Sequence, residues 1–98
     1  MTLDTVKNYL DITWSDPDTD KKVQDILSRA ESTLNSYAGE TVDFTDETTA
    51  EAQLLLDCCL YIWNHNFAEF KANYSSELIM LRAGRQAASY AAAEDTDI

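Results

Sequence analysis

The chain has 98 residues, of which 45% are hydrophobic and 26% charged, and this length and composition suit one folded domain. Only 2 glycines and 1 proline are present, which argues against a turn-rich β-sandwich, a collagen-like chain and a flexible linker. The formal net charge of −11 repels phosphates, so it disfavours proteins that grip nucleic acids or anionic membranes.

The first residues predict a short helix over 3–10. Thr2 is placed to cap its N-terminus, Asp4 lies in the first turn, and Val6 and Leu10 share an apolar face. No basic region followed by an apolar run is found here, so we expect no signal peptide. No apolar stretch approaches the roughly 18 residues of a membrane span, so we expect no transmembrane helix.

An acidic segment, Asp16 to Asp20, precedes the second predicted helix. Pro17 suits a first helical position, and the carboxylates suit a helix N-terminus. The central Gly and distal Glu of a calcium loop are missing, so we interpret the segment as a cap. The helix is predicted over 18–38, ending at Gly39, from apolar residues spaced by three and four: Val23, Ile26, Leu27, Ala30, Leu34, Tyr37 and Ala38.

A third helix is predicted over 46–73, with Thr45 as its cap, after a connector that allows a short extended pairing around Val42. Apolar residues surround most of its middle, which indicates either a central helix wrapped by the others or a helix covered by neighbouring subunits. A fourth helix is predicted over 76–92. The predicted fold is an all-α small bundle of about four helices with one long central helix: residues 1–93 form the helical domain and 94–98 an acidic C-terminal tail.

Residues that support catalysis are sparse. Cys58 and Cys59 are adjacent, so we interpret them as buried reduced thiols of a cytosolic protein. His65 lacks the preceding glutamate of a di-iron bundle, and no phosphate-binding loop or Cys-x-x-Cys motif is present. Asp57 stands among leucines and cysteines: it either faces solvent, pairs with a basic residue across an interface, or is a perturbed carboxylate. We predict no enzymatic activity, catalytic residue, metal or cofactor.

Three segments resemble the small head–tail connector (head-completion or adaptor) proteins of tailed bacteriophages. They are the opening Thr2 to Ile12 with the acidic loop after it, the helix end Tyr37-Ala38-Gly39, and the run from Phe67 to Leu78. The likeness covers about residues 1–90 and rests on the pattern and order of elements. It implies a structural protein of the virion's head–tail junction, made in the bacterial host's cytoplasm.

The resemblance implies a ring of about twelve or thirteen subunits under the portal protein, which extends the DNA channel and presents a surface to a tail-completion protein. DNA would pass through a negative ring without specific binding. We predict that an apolar stripe forms the subunit or portal interface, the alternative being a role in the core: Trp63, Phe67, Phe70, Tyr74, Leu78 and Leu81. The alternative function is a small acidic helical interaction module, a regulator that binds a basic partner protein.

Overall fold

The structure, a computed structural model, describes residues 1–83 of the chain. Within that range the protein is all-α, as predicted, with five helices and no strand. They are α1 (Leu3–Tyr9), α2 (Pro17–Ala38), α3 (Ala50–Trp63), α4 (Phe67–Asn73) and α5 (residues 75–83). The rest of the helix predicted over 76–92, and the acidic tail 94–98, lie outside the described residues.

The first two helices begin and end through local capping, as the sequence predicts. The hydroxyl of Thr2 accepts a hydrogen bond from the backbone N–H of Thr5 at 3.2 Å, at the start of α1. The carboxylate of Asp16 accepts from the N–H of Thr19 at 3.2 Å, at the start of α2. Gly39 ends α2 with φ +78°, a left-handed conformation that costs glycine little because it has no Cβ.

The long helix of the bundle is α2, with 22 residues, and not the third helix. The continuous helix predicted over 46–73 is wrong at its start. Asp46 accepts a hydrogen bond from the N–H of Thr48 at 3.0 Å, which stabilises a turn before the helix. Thr49, rather than Thr45, then caps α3 by accepting from the N–H of Ala52 at 3.1 Å.

The predicted third helix is also divided in its second half, at His65. This residue has φ +57°, in the left-handed region, and it separates α3 from α4. The N–H groups of His65 and Asn66 donate to the carbonyls of Ile62 and Tyr61 at 3.0 and 2.8 Å, so the end of α3 is satisfied. The asparagines on either side of His65 were the sequence signal for this break, since asparagine favours turns and helix ends.

The hydrophobic core lies where α2 packs against α1 and α3. An ion pair between Lys7 and Asp20, at 2.7 Å, links α1 to α2 at the edge of this core. Val42 is buried, and its N–H donates to the side chain of Asn35, so the connector packs without forming a strand within residues 1–83. Among residues 1–83, nine side chains have no exposed surface: Val6, Val23, Ala30, Leu34, Ala52, Leu55, Cys58, Cys59 and Phe70.

Across residues 1–83, every helix falls short of the length and apolar content needed to cross a bilayer.

Candidate interaction surfaces

The six residues predicted to form an interface occupy different environments. Phe70 is completely buried, and Leu78 and Leu81 are also buried. Trp63 and Tyr74 are partly buried against the core, while Phe67 is 39% exposed. Part of the predicted interface is therefore packed within the chain itself, and Phe67 is the most exposed of the six by fraction of its surface.

The break at His65 explains why Phe70 is buried. It lets α4 turn back, so that the ring of Phe70 packs against Tyr61 of α3 with centroids 5.7 Å apart. Tyr74 stacks on Phe70 at 4.8 Å and meets Tyr61 edge-on at 5.6 Å. The side chain of Asn73 donates to the hydroxyl of Tyr61 at 3.1 Å. These aromatic contacts stabilise the α3–α4 corner through both buried area and ring geometry.

The most exposed large apolar side chains within residues 1–83 are on α5, whereas the predicted interface includes only the buried Leu78 and Leu81 of this helix. Ile79 is 69% exposed and Met80 is 71% exposed, between the buried Leu78 and Leu81. The unbroken apolar run Leu-Ile-Met-Leu was the signal that could have identified them. A helix with only one buried face needs no such run, because its other positions face water.

A groove of about 400 Å³ lies between α3 and α5. Leu54 and Met80 contribute apolar walls, and the carboxylates of Asp57 and Glu77 lie among the lining groups. We call this the α3–α5 groove, and its complete lining is Ala50, Glu51, Gln53, Leu54, Asp57, Glu77, Met80 and Leu81. The groove combines an apolar surface with negative charge, which suits a ligand that has both apolar and cationic groups.

Asp57 is held by neutral donors. The hydroxyl of Tyr9 donates to its Oδ1, and the amide of Gln53 donates to the same atom at 3.1 Å. The pKa of Tyr9 is raised by the hydrogen bond to Asp57, then by burial and by the negative charge of Asp57. Burial first, and the charge of Asp57 second, raise the pKa of Tyr74 to about 12. No ion pair within residues 1–83 includes Asp57, so its charge has no cationic partner there.

A second surface lies between α2 and the α3–α4 corner, and its character is the opposite. We call it the Arg29 patch. It surrounds a depression of about 380 Å³ lined by Arg29, Thr33, Ile62, His65, Phe67 and Ala68, none of them acidic. Next to it, the ammonium of Lys22 lies 4.9 Å from the ring centroid of Trp63. Arg29 is exposed and has no ion pair within residues 1–83, whereas Lys21 pairs with Asp25 at 3.0 Å.

The residues considered for chemistry are dispersed. Cys58 and Cys59 are unpaired and buried, and burial raises the pKa of each thiol to about 12, so few thiolates form near neutral pH. His65 is exposed in the Arg29 patch. Across residues 1–83, no three His, Cys, Asp or Glu side chains are placed to hold a metal ion.

No protein-family model, curated protein or solved structure matches the chain.

Proposed function

We propose that the chain is a structural virion protein that forms an oligomeric ring under the portal of a tailed bacteriophage. The ring extends the DNA channel and joins the DNA-filled head to the tail. Its partners are other copies of the chain, about twelve or thirteen in a closed ring, the portal protein and a tail-completion protein. Assembly takes place in the bacterial cytoplasm, and the protein acts without catalysis or a cofactor.

The observation that supports assembly most strongly is the exposure of Ile79 and Met80. The two residues are adjacent on α5, and each is more than two-thirds exposed. Grouped apolar surface of this kind marks sites where proteins bind one another, because covering it removes apolar area from water. Phe67 is also exposed, and it lies on a different helix, so exposed apolar side chains are found on two helices of the chain.

The charge of the chain supports the channel role. With a net charge of −11, a ring of such subunits repels the phosphate backbone of DNA instead of binding it. DNA can then slide through during packaging and ejection without strong contacts that would hold it.

The decisive experiment is to inactivate the gene in its phage and examine the particles by electron microscopy. We expect DNA-filled heads that lack tails, with tailed particles restored when the chain is supplied from a plasmid. Normal tailed particles, or heads that never fill with DNA, would contradict the proposal. In the phage genome, portal and major-capsid genes upstream and tail-completion genes downstream would agree with it.

The α3–α5 groove favours one alternative, an acidic helical module that binds a basic partner protein. Asp57 and Glu77 lie beside apolar walls there, as a cationic and apolar segment of another protein would require. Such a module would be a monomer or dimer by itself and would bind one basic protein in fixed ratio. Particle mass in solution distinguishes it from a ring.

A further inference from the structure

We infer that the α3–α5 groove of one subunit receives the Arg29 patch of a second copy of the same chain. This inference rests on the proposed function and assigns the two surfaces that meet between neighbouring subunits in the ring.

The groove has the chemistry of a receptor for an apolar group and a cation. Leu54 is buried beneath it, and Met80, 71% exposed, forms an uncovered apolar wall. Asp57 and Glu77 contribute carboxylates that have no ion pair within residues 1–83. Covering this groove with a purely apolar segment would take these charges out of water without a cationic partner, so a cationic occupant is favoured.

The Arg29 patch supplies the complementary groups. The guanidinium of Arg29 is exposed, and the ring of Phe67, 39% exposed, lines the same depression. Arginine suits this contact because its planar guanidinium pairs with carboxylates through two hydrogen bonds and is weakly hydrated. The lining of this depression includes no carboxylate, although Asp18 and Asp25 line a neighbouring depression that shares Arg29. A second copy is the occupant that this complementarity specifies.

The two surfaces are separate, so one subunit can use both at once. The groove is lined by the N-terminal part of α3, up to Asp57, and by α5. The patch is lined by Ile62 near the C-terminal end of α3, by α2 and by α4. A contact between two different surfaces is heterologous, and repetition of such a contact closes a ring when the rotation between subunits allows it.

The test is a charge exchange in the full chain, with self-association measured by sedimentation equilibrium. Arg29→Glu and Glu77→Arg each change an exposed side chain, so circular dichroism should show the wild-type fold. Each single change should weaken self-association at least about tenfold, because like charges then face each other across the contact. The double variant should recover most of the wild-type affinity, because the two charges are exchanged.

This design separates a specific contact from overall charge. Arg29→Glu makes the net charge more negative and Glu77→Arg makes it less negative than −11, so general repulsion predicts opposite effects for the two. Asp4→Arg is the matched control, since it makes the same charge change as Glu77→Arg on an exposed first-turn residue outside both surfaces. Self-association should be unaffected by it.

The possible outcomes separate failure of the assigned contact from failure of the ring proposal. If the wild-type chain assembles and the single variants assemble equally well, or the double variant is as weak as the singles, the assigned contact is wrong and the ring proposal stands. If the wild-type chain is a monomer at every concentration up to its solubility limit, both are overturned.

Discussion

The hydroxyl of Tyr9, at the end of α1, donates a hydrogen bond to the carboxylate of Asp57 in the middle of α3. The amide of Gln53 donates to both groups, at 3.2 Å to the hydroxyl and 3.1 Å to the carboxylate. Asp57, which stands out in the sequence because its neighbours are apolar, therefore links the short first helix to α3 through these hydrogen bonds. The negatively charged carboxylate of Asp57 also lines the α3–α5 groove.

We expect Tyr9→Phe to lower the free energy of unfolding by about 1 kcal/mol, since it removes one hydrogen bond to a partly exposed carboxylate. Urea denaturation followed by circular dichroism measures this. Tyr37→Phe is the control, because no hydrogen bond to the Tyr37 hydroxyl is found within residues 1–83 and the variant keeps the ring that packs against the core. Equal losses for the two variants would contradict the role of the Tyr9–Asp57 bond.

Stability should fall at alkaline pH, and Tyr74 should contribute to the fall. Its pKa is raised from 10.0 to about 12, so the folded chain holds this proton more tightly than the unfolded chain. The resulting stabilisation is complete below about pH 10 and is lost as the pH rises towards about 12. Between about pH 9 and about pH 11, Tyr74→Phe should lose less stability than the wild type in urea denaturation. Identical losses would show that Tyr74 does not titrate in this way.

The two cysteines should be inert in the folded protein. Both are fully buried, with pKa values raised to about 12, so a thiol-specific reagent near neutral pH should react only as the chain unfolds. We expect the double change Cys58→Ala and Cys59→Ala to cost about 2–3 kcal/mol through the cavities it leaves, and to leave assembly intact at low temperature. Loss of assembly at unchanged stability would reveal a role for the thiols.

Replacing His65 by glycine should stabilise the chain. At φ +57° a side chain is strained, and glycine relieves the strain at some cost in unfolded-state entropy, so we expect a gain of about 0.5–1 kcal/mol. Thermal unfolding measures the difference. Asn66→Gly, at φ −127°, is the control that should give no gain. If both variants are destabilised alike, the left-handed turn is not where the strain lies.

Two phenylalanines of α4 should separate folding from assembly. Phe70 has no exposed surface, so Phe70→Ala should cost about 3–5 kcal/mol and destabilise the isolated subunit. Phe67 is 39% exposed, so Phe67→Ala should remain folded and lose self-association, as sedimentation would show. A Phe70→Ala chain that is as stable as wild type, or a Phe67→Ala chain that assembles normally, would contradict this division.

Features determined by neighbouring residues were predictable from the sequence alone. The amphipathic period of α2 and its limits at Asp16 and Gly39 are local, because a helix face repeats every three to four residues and caps bond within one turn. The burial of Cys58 and Cys59, predicted from their adjacency in the sequence, is confirmed.

The tertiary structure decided where the predicted third helix breaks and what its aromatic residues contact. On a straight helix Phe70 would extend the stripe of Trp63 and Phe67. Nothing local rules that out, since the two asparagines beside His65 have only a weak preference for turns. The turn at His65 is favoured over a straight helix because it places the ring of Phe70 against Tyr61 and out of water. The pairing of Tyr9 with Asp57 likewise joins residues 48 positions apart, so it exists only once helix packing has brought α1 to α3.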